Sequence, residues 1–166
     1  MLFGHHKTSN GTLSEAVQMV ETYFRHRGLD PNKFKLPSAG EFGWWIKEGS
    51  AQVYIVVQEG NEELRTILRI SSPLVYIPET NKEQFYRHLL ELNSDLSSCA
   101  LSVYNDVVLV VVQRPTLGLS QEEMDELVWN AAYVADLLDN KMVANFGARL
   151  YNDRVQSGAF NTNGMR

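Results

Sequence analysis

The stretch Phe42-Gly43-Trp44-Trp45-Ile46-Lys47-Glu48-Gly49-Ser50-Ala51-Gln52-Val53-Tyr54-Ile55-Val56-Val57-Gln58 decides the fold. Phe42, Trp44 and Ile46 fall on one side of a period-two pattern and Trp45 and Lys47 on the other. Val53, Ile55 and Val57 then alternate with Gln52, Tyr54 and Gln58. Such alternation is the signature of strands that bury one face. Glu48-Gly49-Ser50 separates the two runs. Glu59-Gly60-Asn61 precedes a third, residues 63–70, where Leu64, Thr66, Leu68 and Ile70 alternate with Arg65 and Arg69. Three strands joined by short glycine-bearing turns form an antiparallel meander. Ser71-Ser72-Pro73 interrupts it, because proline cannot donate to a ladder and is tolerated at an edge or a bulge. Residues 74–77 then read either as an extension of the third strand or as a covering loop.

Working outward, Thr12-x-x-Glu15, Thr80-x-x-Glu83 and Ser120-x-x-Glu123 each precede an apolar stripe at helical spacing. In such a box the hydroxyl accepts from the N–H three residues on and the carboxylate reaches back, pairing donors that a helix start otherwise leaves free. The first helix spans 13–27 and ends at Gly28-Leu29-Asp30-Pro31, a left-handed cap with Leu29 folding back on the last turn. The second spans 82–93, with Phe85, Tyr86, Leu89, Leu90 and Leu92 on a broad apolar face. The third spans 121–140, with Met124, Leu127, Val128, Ala131, Val134, Ala135 and Leu138 as its stripe. Between the last two, residues 100–104 and 107–113 flank Asn105-Asp106, a pair that accepts positive φ and closes a tight hairpin. Residues 107–112 are apolar without alternation, as in a strand covered on both faces.

The 166 residues fit a single α+β domain, residues 12–146, between a flexible start (1–11) and a polar, mobile tail (147–166). The expected order is α-β-β-β-α-β-β-α, a five-stranded, mainly antiparallel sheet with helices chiefly on one face. A net charge of −5 argues against nucleic acid or an anionic membrane as partner, since both demand a basic footprint. One cysteine, Cys99, excludes an internal disulfide and reads as a small buried hydrophobe in a cytoplasmic protein. No stretch has the apolar length of a secretory signal or a membrane span.

Site chemistry is sparse. His5-His6, His26 and His88 lack ligand spacing, so no metal or other cofactor is expected. Ser71-Ser72 and Ser97-Ser98 sit in no nucleophile elbow, and Gly40 and Gly43 lead into a strand and not into a phosphate-binding helix start. Glu122, Glu123, Asp125 and Glu126 complement the dipole of the third helix better than they serve acid–base work. Trp129 and Tyr133 lie beside the main stripe of that helix and read as a widening of its core face, with a ridge for a second subunit as the alternative.

The order of elements, carried by Phe85-Tyr86-Arg87-His88-Leu89-Leu90-Glu91-Leu92-Asn93, the hairpin at Asn105-Asp106 and Gly118-Leu119-Ser120-x-x-Glu123, resembles the type III secretion chaperone fold and the YbjN family that shares it. The resemblance covers about residues 13–140. It implies a non-catalytic, chaperone-like or sensory-transduction regulator, bacterial and cytoplasmic, binding a protein client or regulatory partner and forming a homodimer. If Val53, Ile55, Val57, Leu64, Leu68 and Ile70 face the helices, alternation places Tyr54, Val56, Arg65, Ile67 and Arg69, with Trp45, on the opposite face. Aromatic, aliphatic and arginine side chains together have the composition of an interface. These six residues are the expected binding surface for an apolar client segment or a second subunit, with Arg65 and Arg69 pairing carboxylates. The alternative function is a small-molecule sensor or an unrecognised enzyme with a pocket between sheet and helices.

Overall fold

The period-two stretch folds as a hairpin in a computed structural model that describes residues 9–37, 42–61 and 63–151. Strand β1 (Gly43–Glu48) pairs antiparallel with β2 (Ala51–Gln58), setting Trp44 opposite Ile55 and Trp45 opposite Tyr54. Gly49, at φ 61°, supplies the left-handed residue of the connection.

Strand β3 (Ile67–Tyr76) differs from expectation at both ends. It starts later because Asn61 captures the preceding residues. The Asn61 side-chain oxygen accepts from the N–H groups of both Glu63 and Leu64 at 2.9 Å, and the Asn61 N–H donates to the Leu64 carbonyl. Leu64 is left 65 % exposed. Local side-chain capture of this kind competes with a ladder. The strand also runs straight through Pro73, so residues 74–76 extend it. Pairing with β2 ends at Ser71 and the opposite ladder shifts register between Pro73 and Val75, so the proline sits at a bulge.

The second hairpin, β4 (Ala100–Tyr104) and β5 (Val107–Pro115), turns on Asn105 and Asp106, both at positive φ (46° and 63°). The sheet order is β1-β2-β3-β5-β4. A sixth strand, β6 (Arg149–Leu150), pairs with Val75 and Tyr76, so the sheet has six strands where five were expected. It lies within the stretch assigned to the tail, and Ala148 before it is buried. Similarly Ser9 N–H donates to the Leu119 carbonyl and Asn10 bridges Leu117, within the stretch assigned to a flexible start. Met1–Thr8 and residues 152–166 lie outside the described residues.

Helix α1 (Leu13–His26) opens with Thr12 Oγ1 accepting from the Glu15 N–H at 3.2 Å, and closes at Gly28 (φ 71°) with Leu29 N–H donating to the Phe24 carbonyl. Helix α3 (Gln121–Phe146) opens in the same way on Ser120 and runs six residues beyond the expected end, to a left-handed Gly147. Helix α2 (Lys82–Asp95) does not use its Thr80 box. Asn81, at φ 56°, is its N-cap and makes no side-chain capping bond.

All inward positions face one layer. Trp44, Val53, Ile55, Val57, Leu68, Ile70, Val110 and Val112 pack with Val20 and Phe24 of α1 and Met124, Val128, Ala131, Ala135 and Met142 of α3 in a single core. Two alanines at the α3 contact allow that helix to cross β2, β3 and β5 closely. α2 stands at the β4 side, where the Asn93 side chain accepts from the Leu101 N–H (2.6 Å) and donates to the Leu101 carbonyl (3.2 Å). One amide thereby occupies the free backbone edge of β4 as a neighbouring strand would.

Candidate functional site

Register builds the outer face of the sheet row by row. Trp45, Tyr54, Ser71, Val111 and Ala100 stand opposite one another across β1, β2, β3, β5 and β4. The next row is Gly43, Val56, Arg69 and Gln113, and the row after it Gln58, Ile67 and Pro115. Five of the six residues selected from the sequence, Trp45, Tyr54, Val56, Ile67 and Arg69, therefore share one face. Arg65 does not. It is exposed in the loop before β3, because Asn61 holds that loop in a turn and delays the strand.

Exposure grades this surface. Trp45, Val56, Ile67, Arg69 and Val111 are half-buried, whereas Tyr54 is only 8 % exposed. Trp45 is braced at the β1 edge by Phe34, ring centroids 5.9 Å apart at 64°, and Phe34 stacks in turn on Phe24. Gly43 contributes no side chain beside Val56, which leaves that row low at its β1 end.

Arg69 is the charged centre. Among the described residues no carboxylate pairs it, and burial depresses its pKa from the ordinary arginine value. The cause is desolvation of the cation. Beside it a hollow of about 490 Å³ opens over β3, β5 and β4, lined by Ser98, Cys99, Ser102, Val111 and Gln113. A second hollow, about 370 Å³, lies at the other end of the face between Trp45, Lys47, Pro73, Asp139 and Tyr151. Burial pushes the Asp139 carboxyl up, and the neighbouring Asp136 adds to it. Burial likewise raises the Cys99 thiol, so at neutral pH it is protonated, a poor nucleophile that packs against the core edge.

Sequence reasoning missed Val111, Gln113 and Ser102 as members of this face. The apolar run 107–112 shows no alternation, so only counting outward from the Asn105-Asp106 turn could have assigned its faces. Core side chains pack between sheet and helices, where the alternative function placed a pocket, and the second hollow reaches Ala135 and Asp139 of α3 at the edge of that layer. Among the described residues no three His, Cys, Asp or Glu side chains converge as metal ligands, and no helix is long and apolar enough to cross a membrane. His5-His6 lies outside the described residues.

Residues 40–154 match the family described as TY-Chap1, the type III secretion (YopN, CesT) and YbjN peptide-binding chaperone 1. The chain belongs to this family. The YbjN and type III secretion chaperone resemblance and the α+β fold are thus both shown. A TY-Chap1 chaperone is a peptide-binding protein, which sets the general role as protein binding. Among solved structures, a chain of the ExsC–ExsE complex superposes with a TM-score of 0.58 at 14 % identity, over 78 % of this chain and 95 % of that one. A chain of the heterodimeric ExoU–SpcU complex from the type III secretion system of Pseudomonas aeruginosa superposes with a TM-score of 0.54 at 15 % identity, over 73 % and 95 %. At these identities the likeness is one of fold. No curated protein matches the TY-Chap1 chain in sequence.

Proposed function

We propose that this TY-Chap1 protein is a cytoplasmic, non-catalytic adaptor or chaperone-like regulator that holds an apolar, acid-bearing client segment against the outer face of its sheet. One observation carries the reading: Arg69, half-buried and without a carboxylate among the described residues, stands amid half-buried Trp45, Val56 and Ile67 on a continuous sheet face. Client side chains covering Val56 and Ile67 would remove their remaining apolar area from water, at about 25 cal/mol per Å². A client carboxylate would offset the desolvation of Arg69 with a charge-assisted, bidentate hydrogen bond. Support for a protein partner also comes from the ExsC–ExsE and ExoU–SpcU complexes, in each of which a chain of this fold is found with a second protein.

The homodimer belongs to the same proposal and is assigned to α2. Tyr86 and Leu90, four residues apart, share its outer face at 40 % and 71 % exposure.

Tyr54 is too buried for a clean probe, so the test uses Val56→Glu and Arg69→Glu. Binding of a peptide library displayed on a surface is scored for wild type and both variants, with circular dichroism to confirm folding. Selection by the wild type of apolar peptides carrying Asp or Glu is expected. Arg69→Glu should switch the preference to Lys or Arg, and Val56→Glu should weaken all apolar ligands about tenfold or more. A wild-type selection indifferent to both substitutions would remove this face from the function.

A further inference from the structure

On the far side of the molecule, α3 carries an aromatic ladder that its packing leaves unused. Trp129 and Tyr133, one turn apart, stack with centroids 5.1 Å apart and planes 9° from parallel, yet they are 57 % and 53 % exposed. Leu137, one turn further, is 42 % exposed. The reading of Trp129 and Tyr133 as core is thereby corrected. Met124, Ala131, Ala135, Leu138 and Met142 take the sheet side of the helix, and a step of four residues keeps 129, 133 and 137 together on the opposite side.

Charge decides what such a stripe accepts. α3 holds six carboxylates against the single Lys141, a net charge as large as the −5 of the entire chain. Glu126 is exposed three residues before Trp129, and Asp136 three residues after Tyr133. Two stacked π faces between carboxylates form a surface on which a guanidinium or ammonium gains both ring quadrupole and ion pair. The same carboxylates repel anionic lipid and nucleic acid, and they oppose a second copy, whose own α3 would bring like charges face to face.

We propose that this stripe docks a cationic amphipathic segment of a partner protein. Its arginine or lysine residues lie over the Trp129–Tyr133 rings and toward Glu126 and Asp136, and its apolar residues cover Leu137. The surface is separate from the outer sheet face, and the inference does not rest on the peptide reading of that face.

The test is a calorimetric and fluorescence titration of the full chain with a synthetic leucine–arginine helical peptide about four turns long, and with its glutamate-for-arginine counterpart. Saturable binding of the arginine peptide, weakened by salt, is expected, with none for the acidic one. Trp129→Ala/Tyr133→Ala should weaken it about tenfold. Glu126→Lys, which keeps both rings, should weaken it as well, and Val56→Glu should leave it unchanged. Equal affinity for the two peptides overturns the proposal, as does unchanged affinity in the aromatic variant. A concentration-dependent dimer abolished by that variant would give the stripe to a second copy and overturn it equally.

Discussion

Tyr23 ties α1 to the end of β1 through one proton. It is buried at 1 % exposure, its hydroxyl donates to a Glu48 carboxylate oxygen at 2.7 Å, and Arg27 pairs with that same carboxylate while lying over the Tyr23 ring. Burial first, and the Glu48 carboxylate second, hold the phenol's pKa well above its ordinary 10. The folded state therefore keeps a proton that the unfolded chain releases near pH 10. Stability is level below that pH and falls as pH climbs past it, by up to roughly 1.4 kcal/mol per unit from this group. Urea unfolding of wild type and Tyr23→Phe between about pH 9 and 11 should show the steeper alkaline loss in wild type only. Parallel slopes would mean that the phenol does not carry the linkage. Residues of the candidate face were legible on simpler grounds. Period two assigns Trp45, Tyr54, Val56, Ile67 and Arg69 to one side once the strands are found, with no knowledge of partners. Arg65 escaped that rule because Asn61 wins its neighbours for a turn, a competition invisible to alternation.

Among the elements, legibility followed how many independent signals each carried. α1 and α3 combine a capping hydroxyl with an apolar stripe, and their starts were placed to the residue; the glycine stop was read for α1 alone, and the end of α3 was set six residues short of Phe146. The box carboxylates differ: Glu15 reaches back to Thr12, accepting from its Oγ1 at 3.0 Å and from the Asn10 N–H at 2.8 Å, whereas Glu123 pairs with Arg114 of β5 at 2.8 Å. β6 was out of reach, since two residues of ladder are too few to show a period. α2 has a good stripe but spends only Phe85 and Leu89 on full burial, leaving Tyr86 and Leu90 outward. That surplus is the ground for a dimer through α2. Leu90→Lys keeps helix propensity at an exposed site, so the stability change should stay within about 0.5 kcal/mol. Light scattering behind a sizing column should nevertheless show the mass fall from two chains to one. A wild type that elutes as one chain, or a variant that still elutes as two, would remove α2 as the interface.

At the scale of the whole molecule the sheet separates two surfaces of opposite chemistry, an apolar face centred on Arg69 and an acidic, aromatic α3 behind the helix layer. A continuous hydrophobic core lies between them. Ligand at the outer face acts on stability only through the folded state, which holds that face together across five strands contributed by both halves of the chain. An apolar, acid-bearing peptide at about a hundred times its Kd should therefore add about 2.7 kcal/mol, which for a domain of this size raises Tm by roughly 5–10 °C. Differential scanning fluorimetry at a series of peptide concentrations checks it. The wild type should climb logarithmically with ligand, and Val56→Glu should stay flat at the same concentrations. Trp129→Ala/Tyr133→Ala should climb with the wild type, because sites on opposite layers with no shared partner contribute independently. A rise that survives Val56→Glu but vanishes with the aromatic pair would move peptide capture from the sheet to α3.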